Sequence, residues 1–227
     1  MILIDLEGKV ARDGFAVVDR FAPPEMVNLL LSDLEHELGG KRAGTRQPHQ
    51  RVAAIKSYLA SDAVQRTLQR LLPKGFPVRS ILFDKTAASN WFVPWHQDLS
   101  ICVKDQREAD GFSAWSMKEG TRHVQPLTNV LENLLTIRLH LDDCFAENGP
   151  LRVIPGSHRS GKLSADAISS WQKTGEAVTC TAPKGGAVIM KPLLLHSSLP
   201  AKNPTHRRVL HMEFASEPLP QPLEWIF

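Results

Sequence analysis

The sequence predicts a mainly β protein, a sandwich or barrel with α-helices packed outside it. Three observations carry that expectation. Seven short runs of strand-like composition, at 78–84, 95–103, 134–142, 151–154, 177–181, 187–196 and 207–214, are separated by Gly, Pro, Asn and Asp. Two stretches with apolar residues at three- and four-residue spacing come before them. No β–α–β alternation, internal repeat or low-complexity tract interrupts this order. With 227 residues, 42% hydrophobic and 22% charged, the chain is too apolar for a disordered protein. A chain of this size buries roughly 70% of its unfolded surface, so the core needs no disulfide or structural metal.

Asp13 to Phe21 reads as a turn followed by a short strand. Pro23 and Pro24 then open a helix whose Met26, Leu29, Leu30, Leu34 and Leu38 form one apolar face, stopped by Gly39-Gly40. Lys41 to Arg51 is polar and basic, a predicted loop. A second helix is expected over 57–72, carrying Leu59, Ala63, Leu68, Leu71 and Leu72 and ended by Pro73 and Gly75. The β texture begins after Pro77. The expectation is one domain over 1–227, helical to about residue 76 and β from about 77 to 216. Lys104 to Pro126 is a long polar connection, of the kind that forms a lid or binding loop. The tail after Ser216 holds Pro218, Pro220 and Pro222 and is expected to be extended.

Other classes are excluded on composition. No run of 18 apolar residues exists to span a membrane. Met1 to Lys9 carries Asp5 and Glu7 and lacks the pattern of a secretion signal. Three widely spaced cysteines, Cys102, Cys144 and Cys180, suit a reducing cytoplasm. A net charge of +3 gives no reason to expect nucleic acid. A small molecule is the expected partner.

The chemistry is sought among nine histidines. With 24 acidic residues in the chain, His-x-Asp/Glu is expected about once by chance, and it occurs three times: His96/Asp98, His140/Asp142 and His211/Glu213. On a strand, residues two apart share a face, so His96 and Asp98 can hold a divalent metal in adjacent positions. His196, at the end of the apolar run 188–195, is a candidate third ligand, since a histidine ending a buried strand needs a partner. Two histidines and one carboxylate leave three positions open on Fe(II). Arg207, eleven residues later, can grip a carboxylate bidentately in the same cavity. A metal at His140/Asp142 is the alternative placement.

The run Trp95-His96-Gln97-Asp98, then Asn148-Gly149-Pro150-Leu151-Arg152-Val153-Ile154-Pro155-Gly156-Ser157-His158, then His196-Ser197-Ser198 with Arg207, resembles the phytanoyl-CoA dioxygenase family of Fe(II)/2-oxoglutarate oxygenases. The resemblance extends from about Asp13 to Phe214. It implies a double-stranded β-helix (jelly-roll, cupin-like) core and an enzyme using Fe(II), 2-oxoglutarate and O2, with release of succinate and CO2. Residue by residue, it implies His96, Asp98 and His196 as iron ligands. It implies Arg207 and Ser198 on the distal carboxylate of 2-oxoglutarate, with Gln97 as a further cofactor contact. A carboxylate at Asp98, where related halogenases carry a small residue, implies hydroxylation or another oxidation. Adjacent Arg208 points the opposite way by strand alternation.

The chain departs from the family at Arg138, where better-known members carry a tryptophan. Thr136, Arg138 and His140 share one face and Ile137, Leu139 and Leu141 the other, and alternation alone leaves open which face is inward. Arg138, His140, His211, Lys85, and from the long loop His123 and Trp115, are the candidate substrate contacts. Asn90 and Trp91 are placed near the same mouth, whereas His36 and His49 are expected in solvent and His158 and His206 in structural or loop positions. The rival reading is a cupin-like metal protein or enzyme that does not use 2-oxoglutarate. Arg207 discriminates between the two.

Overall fold

The computed structural model describes residues 5–39, 44–202 and 206–227. Residues 40–43, which include the start of the expected basic loop, lie outside the described residues. The chain begins with α1 (Leu6–Asp13), capped by the Asp5 carboxylate, which accepts from Gly8 N–H, and closed by Gly14 at φ +83°. Then come β1 (Phe15–Val18), α2 (Pro24–Leu38), β2 (Gly44–Arg46), α3 (Ala53–Leu59) and α4 (Asp62–Leu71). The single helix expected over 57–72 is thus two. Ser61 at ψ +153° is extended, so the chain turns between Leu59 and Asp62.

β3 (Phe76–Lys85), β4 (Val93–His96), β5 (Ile101–Val103), β6 (Ser113–Lys118) and β7 (Thr121–Gln125) follow, then α5 (Thr128–Glu132) and β8 (Leu134–His140). The last elements are β9 (Leu151–Val153), α6 (Ala165–Thr174), β10 (Val178–Cys180), β11 (Ala187–Met190), β12 (His196–Ser198) and β13 (Arg207–Ala215).

The strands form a six-stranded sheet in the order β1-β11-β8-β13-β3-β2, a four-stranded sheet β10-β9-β12-β4, and a three-stranded sheet β5-β7-β6. All pairings are antiparallel. The outer face of the large sheet, with Leu135, Ile137, Leu139, Leu210, Met212 and Phe214, is covered by α2, α3 and α4 through Val27, Leu30, Leu34, Ile55, Tyr58, Val64 and Leu68. Each of these buried apolar side chains contributes about 1.5–3 kcal/mol by leaving water. The helices therefore settle which way the even-numbered residues of β8 face. Thr136, Arg138 and His140 point inward.

Two expected strands are divided between sheets. The run 95–103 ends as a strand at His96 and resumes at Ile101 in another sheet. The run 187–196 stops at Met190, and the chain crosses over so that His196 opens β12 instead of ending the earlier strand. The expected loop 104–126 contains the hairpin β6–β7, turned at Glu119 and Gly120 with φ of +49° and +75°. No described helix is long and apolar enough to cross a membrane.

Candidate active site

The antiparallel pairing of β12 with β4 sets His196 directly opposite His96, with ring centroids 4.2 Å apart. Each Nδ1 lies against a backbone carbonyl two residues earlier: His96 against Pro94 O at 2.8 Å, His196 against Leu194 O at 2.7 Å. A carbonyl only accepts, so each Nδ1–H donates and Nε2 is left as the ring atom turned toward Asp98. Beyond β4 the Asp98 N–H donates to Pro192 O at 3.0 Å, which fixes the carboxylate between the imidazoles. Asp98 Oδ1 is 3.8 Å from His96 Nε2, and Oδ2 is 3.7 Å from His196 Nε2. Oδ2 is buried with no hydrogen-bond partner among the described residues. Burial works to raise the Asp98 pKa, but the neighbouring imidazoles, His196 first, which would be protonated in the acid range where a carboxylate titrates, together with Arg79 hold it well below the usual carboxylate range. Burial pushes His196 down to about 4, so its imidazole is neutral. One carboxylate and two imidazoles, with a ligand atom of each within 4.8 Å of the others, are a donor set that could hold a metal as a facial triad.

These groups open on a cavity of about 260 Å³. Its opposite wall is the inner face of β3, β8 and β13. Arg207 pairs across the sheet with Lys85. Lys85 is fully buried, and its Nζ donates to Ser198 Oγ at 2.7 Å and to Leu199 O at 2.6 Å. Burial and the charge of Arg207 push the Lys85 ammonium down to about 8. Ser198 Oγ donates to Gly149 O at 3.0 Å. Arg207 Nε is buried without a partner among the described residues. Arg208 faces outward and holds Asp142 bidentately at 2.7 and 2.9 Å.

Arg138 Nη1 donates to His211 Nδ1 at 2.8 Å. Guanidinium has no acceptor, so His211 accepts at Nδ1 and carries its proton on Nε2, which donates to Glu213 Oε1 at 2.8 Å. Arg79 closes the chain with Nη1 3.2 Å from the same oxygen.

Of the residues expected from the sequence, His96, Asp98, His196, Ser198, Arg207, Lys85, Arg138 and His211 line this cavity, together with Trp91. Four do not, and their expected contacts are corrected. Gln97 faces away: its amide donates to Gly161 O at 2.8 Å and Leu193 O at 2.6 Å and accepts from Leu163 N–H at 2.8 Å. His123, on β7, is buried against Cys102 Sγ at 3.7 Å. Trp115, on β6, packs with the cluster of Val78, Ile101 and Leu131. His140 points inward but lies outside the cavity lining, and both its ring nitrogens are buried without partners among the described residues. The alternative metal pair fails as well, because Asp142 is turned outward onto Arg208.

His49, expected in solvent, is buried against Phe227 with its Nδ1 2.7 Å from Ser80 Oγ. Asn90 does not line the cavity and ties its loop to Ala201. Arg79, Ile81 and Phe83 line the cavity and were not singled out from sequence. Counting back in twos from Lys85 along the predicted strand 78–84 would have found all three.

This fold and donor set define a double-stranded β-helix oxygenase of the Fe(II)/2-oxoglutarate class. The sequence matches the Phytanoyl-CoA dioxygenase (PhyH) family over residues 10–209, and the chain belongs to that family. Among curated proteins it is similar to a "Probable alpha-ketoglutarate-dependent hypophosphite dioxygenase" of Stutzerimonas stutzeri, 23% identical over 240 residues, covering 89% of this chain and 75% of that one. Among solved structures it is similar to EctD from S. alaskensis, with a TM-score of 0.74 at 18% identity, covering 97% and 80% of the two chains. The carbocyclase SnoK from nogalamycin biosynthesis gives a TM-score of 0.73 at 14% identity, covering 94% and 84%.

Proposed function

We propose that the protein hydroxylates an aliphatic C–H bond of a small-molecule metabolite, with His96, Asp98 and His196 as the ligands of Fe(II). The observation that carries this reading is the convergence of these three side chains on one end of a cavity whose other wall holds Arg207. When bound, Fe(II) and 2-oxoglutarate supply the oxygen chemistry: one atom of O2 goes into succinate with loss of CO2, and the other into the product. The residues of the chain bind and orient. Arg207 donates to the distal carboxylate of 2-oxoglutarate in a charge-assisted pair in a low-dielectric pocket. Ser198 and Lys85, joined at 2.7 Å, stand beside it on the same carboxylate. The carbonyls of Pro94 and Leu194 hold the two imidazoles in the tautomer that presents Nε2. No general base is required, which agrees with the lack of a nucleophile–base pair among the cavity residues.

Hydroxylation is the reading favoured by the carboxylate at Asp98, which fills the metal position a halogenase leaves open. The carbocyclase SnoK has a related fold, so the outcome on the substrate is a separate question from cofactor use. Hypophosphite, named for the similar Stutzerimonas stutzeri protein, is one compound to assay.

The test is an anaerobic titration with Fe(II) and 2-oxoglutarate. The expected result is a weak visible charge-transfer band that needs both, followed by succinate when air is admitted. A protein that binds iron but gives neither band nor succinate is the cupin-like alternative.

A further inference from the structure

Four cations line the wall opposite the proposed metal ligands: Arg79, which is paired with Glu213, and Lys85, Arg138 and Arg207, the last three 0%, 8% and 4% exposed. None of these last three has a carboxylate within 4.0 Å among the described residues, although buried charges are normally paired. The nearby Glu213 does not serve Arg138, because His211 stands hydrogen-bonded between them and Arg79 pairs with the same carboxylate. The distal carboxylate of 2-oxoglutarate accounts for Arg207, with Lys85 directly across the sheet from it. Arg138 is left over.

Arg138 is also held apart from that pair. It sits on β8, opposite His211, four residues along β13 from Arg207. Its guanidinium lies over the Phe83 ring at 5.5 Å and spends one N–H on His211. No other hydrogen bond from it is made among the described residues. A planar fork, held by a cation–π contact and one hydrogen bond and open to the cavity, is suited to a two-oxygen anion. At about 260 Å³ the cavity is below the roughly 300–1,000 Å³ usual for ligand pockets, and it must also hold 2-oxoglutarate.

We infer that the substrate is a compact oxyanion, a carboxylate or phosphonate, gripped by Arg138. This rests on the oxygenase reading and names the substrate class for that same cavity.

The test uses the full chain loaded with Mn(II) in place of iron and with 2-oxoglutarate, so that binding is measured without turnover. Acetate, propionate and methylphosphonate are titrated calorimetrically against the neutral acetamide, propionamide and dimethyl methylphosphonate. At least one anion is expected to bind about tenfold or more tightly than its neutral counterpart, as charge-assisted pairing implies. The carboxylate and phosphonate arms identify which headgroup is preferred. With iron, the anion that binds is expected to accelerate succinate release and its neutral counterpart is not.

Arg138→Gln is expected to weaken that anion at least about tenfold more than it weakens 2-oxoglutarate. Should Arg138→Gln fail to fold, Arg138→Lys keeps the charge without the fork and is read the same way. Equal binding of neutral and anionic members, no anion binding at all, or a loss confined to 2-oxoglutarate would overturn the inference. Failure of the wild-type chain to bind 2-oxoglutarate would instead sink the oxygenase reading beneath it.

Discussion

His96 and His196 lie 100 positions apart in sequence and directly opposite one another in the β4–β12 pairing, with their rings tilted by 53°. The register of one antiparallel ladder therefore fixes the separation of two proposed metal donors. Removing either ring removes one of the three proposed donors. His96→Ala and His196→Ala are each expected to lose more iron affinity than the roughly 10–100-fold typical of outer-shell changes. His140→Ala is expected to retain iron, since His140 lies off the cavity. Metal content after dialysis decides it, and loss of iron from His140→Ala alone would move the site.

Arg207→Ala removes the charge expected on the distal carboxylate of 2-oxoglutarate. A hydrogen bond to a charged group is worth about 1.5–3 kcal/mol, so the KM for 2-oxoglutarate should rise roughly tenfold to a hundredfold. Steady-state succinate formation measures this, and a KM within about twofold of wild type would assign the carboxylate to another residue.

Gln97 belongs to the fold despite its place between two ligands. Its amide ties Gly161, Leu163 and Leu193 together. Gln97→Ala leaves these backbone groups short of partners and is expected to cost about 1–3 kcal/mol. In a chain of this length that lowers Tm by about 2–4 °C per kcal/mol. Calorimetric unfolding is the measurement. An unchanged Tm with a raised KM for 2-oxoglutarate would return Gln97 to the cofactor.

Besides His196, three histidines are buried and neutral. Desolvation carries His49 and His123 down to about 4 and His140 down to about 3, from an ordinary value of 6.5. Unfolding releases them to their ordinary value, so below pH 6.5 the unfolded chain binds more protons than the native one. Stability is thus complete above about pH 6.5 and falls as pH drops towards the folded values near 4. Tm measured from pH 7 to pH 5 should decline steadily, and a flat profile across that window would contradict the buried neutral state.

Gly149 has φ +71°, and a Cβ there would lie 2.5 Å from Leu199 O and 3.2 Å from Lys85 Nζ. Leu199 O is itself an acceptor for Lys85. Gly149→Ala should therefore cost more than about 1 kcal/mol and disturb the lysine beside Arg207. A Tm equal to wild type would show that the loop yields freely.

Legibility in the sequence varied with how each residue reports its surroundings. Arg207 and Arg208 were separated by alternation because a long, regular strand carries both. Arg138 was not placed, because alternation divides a strand into two faces without saying which is inward, and only the helices over Leu135, Ile137 and Leu139 decide that. The break after His96 was hidden inside a continuous strand-like run. The helix α6 buries no residue, so it has no apolar stripe to announce it, and only the Ser164 cap, accepting from Ala167 N–H, marks its start. The β6–β7 hairpin went unseen because β6 is largely exposed and its turn, Glu119-Gly120, lacks the Asn-Gly or Asp-Gly signal.

The proposed metal donors and the arginines stand on different sheets: His96 and His196 on β4 and β12, Arg138 and Arg207 on β8 and β13. A small molecule reaching from one to the other would act as a rivet through the sandwich. Occupancy should then register as mechanical closure, with slower proteolysis and a Tm that climbs with the logarithm of 2-oxoglutarate concentration once iron is present.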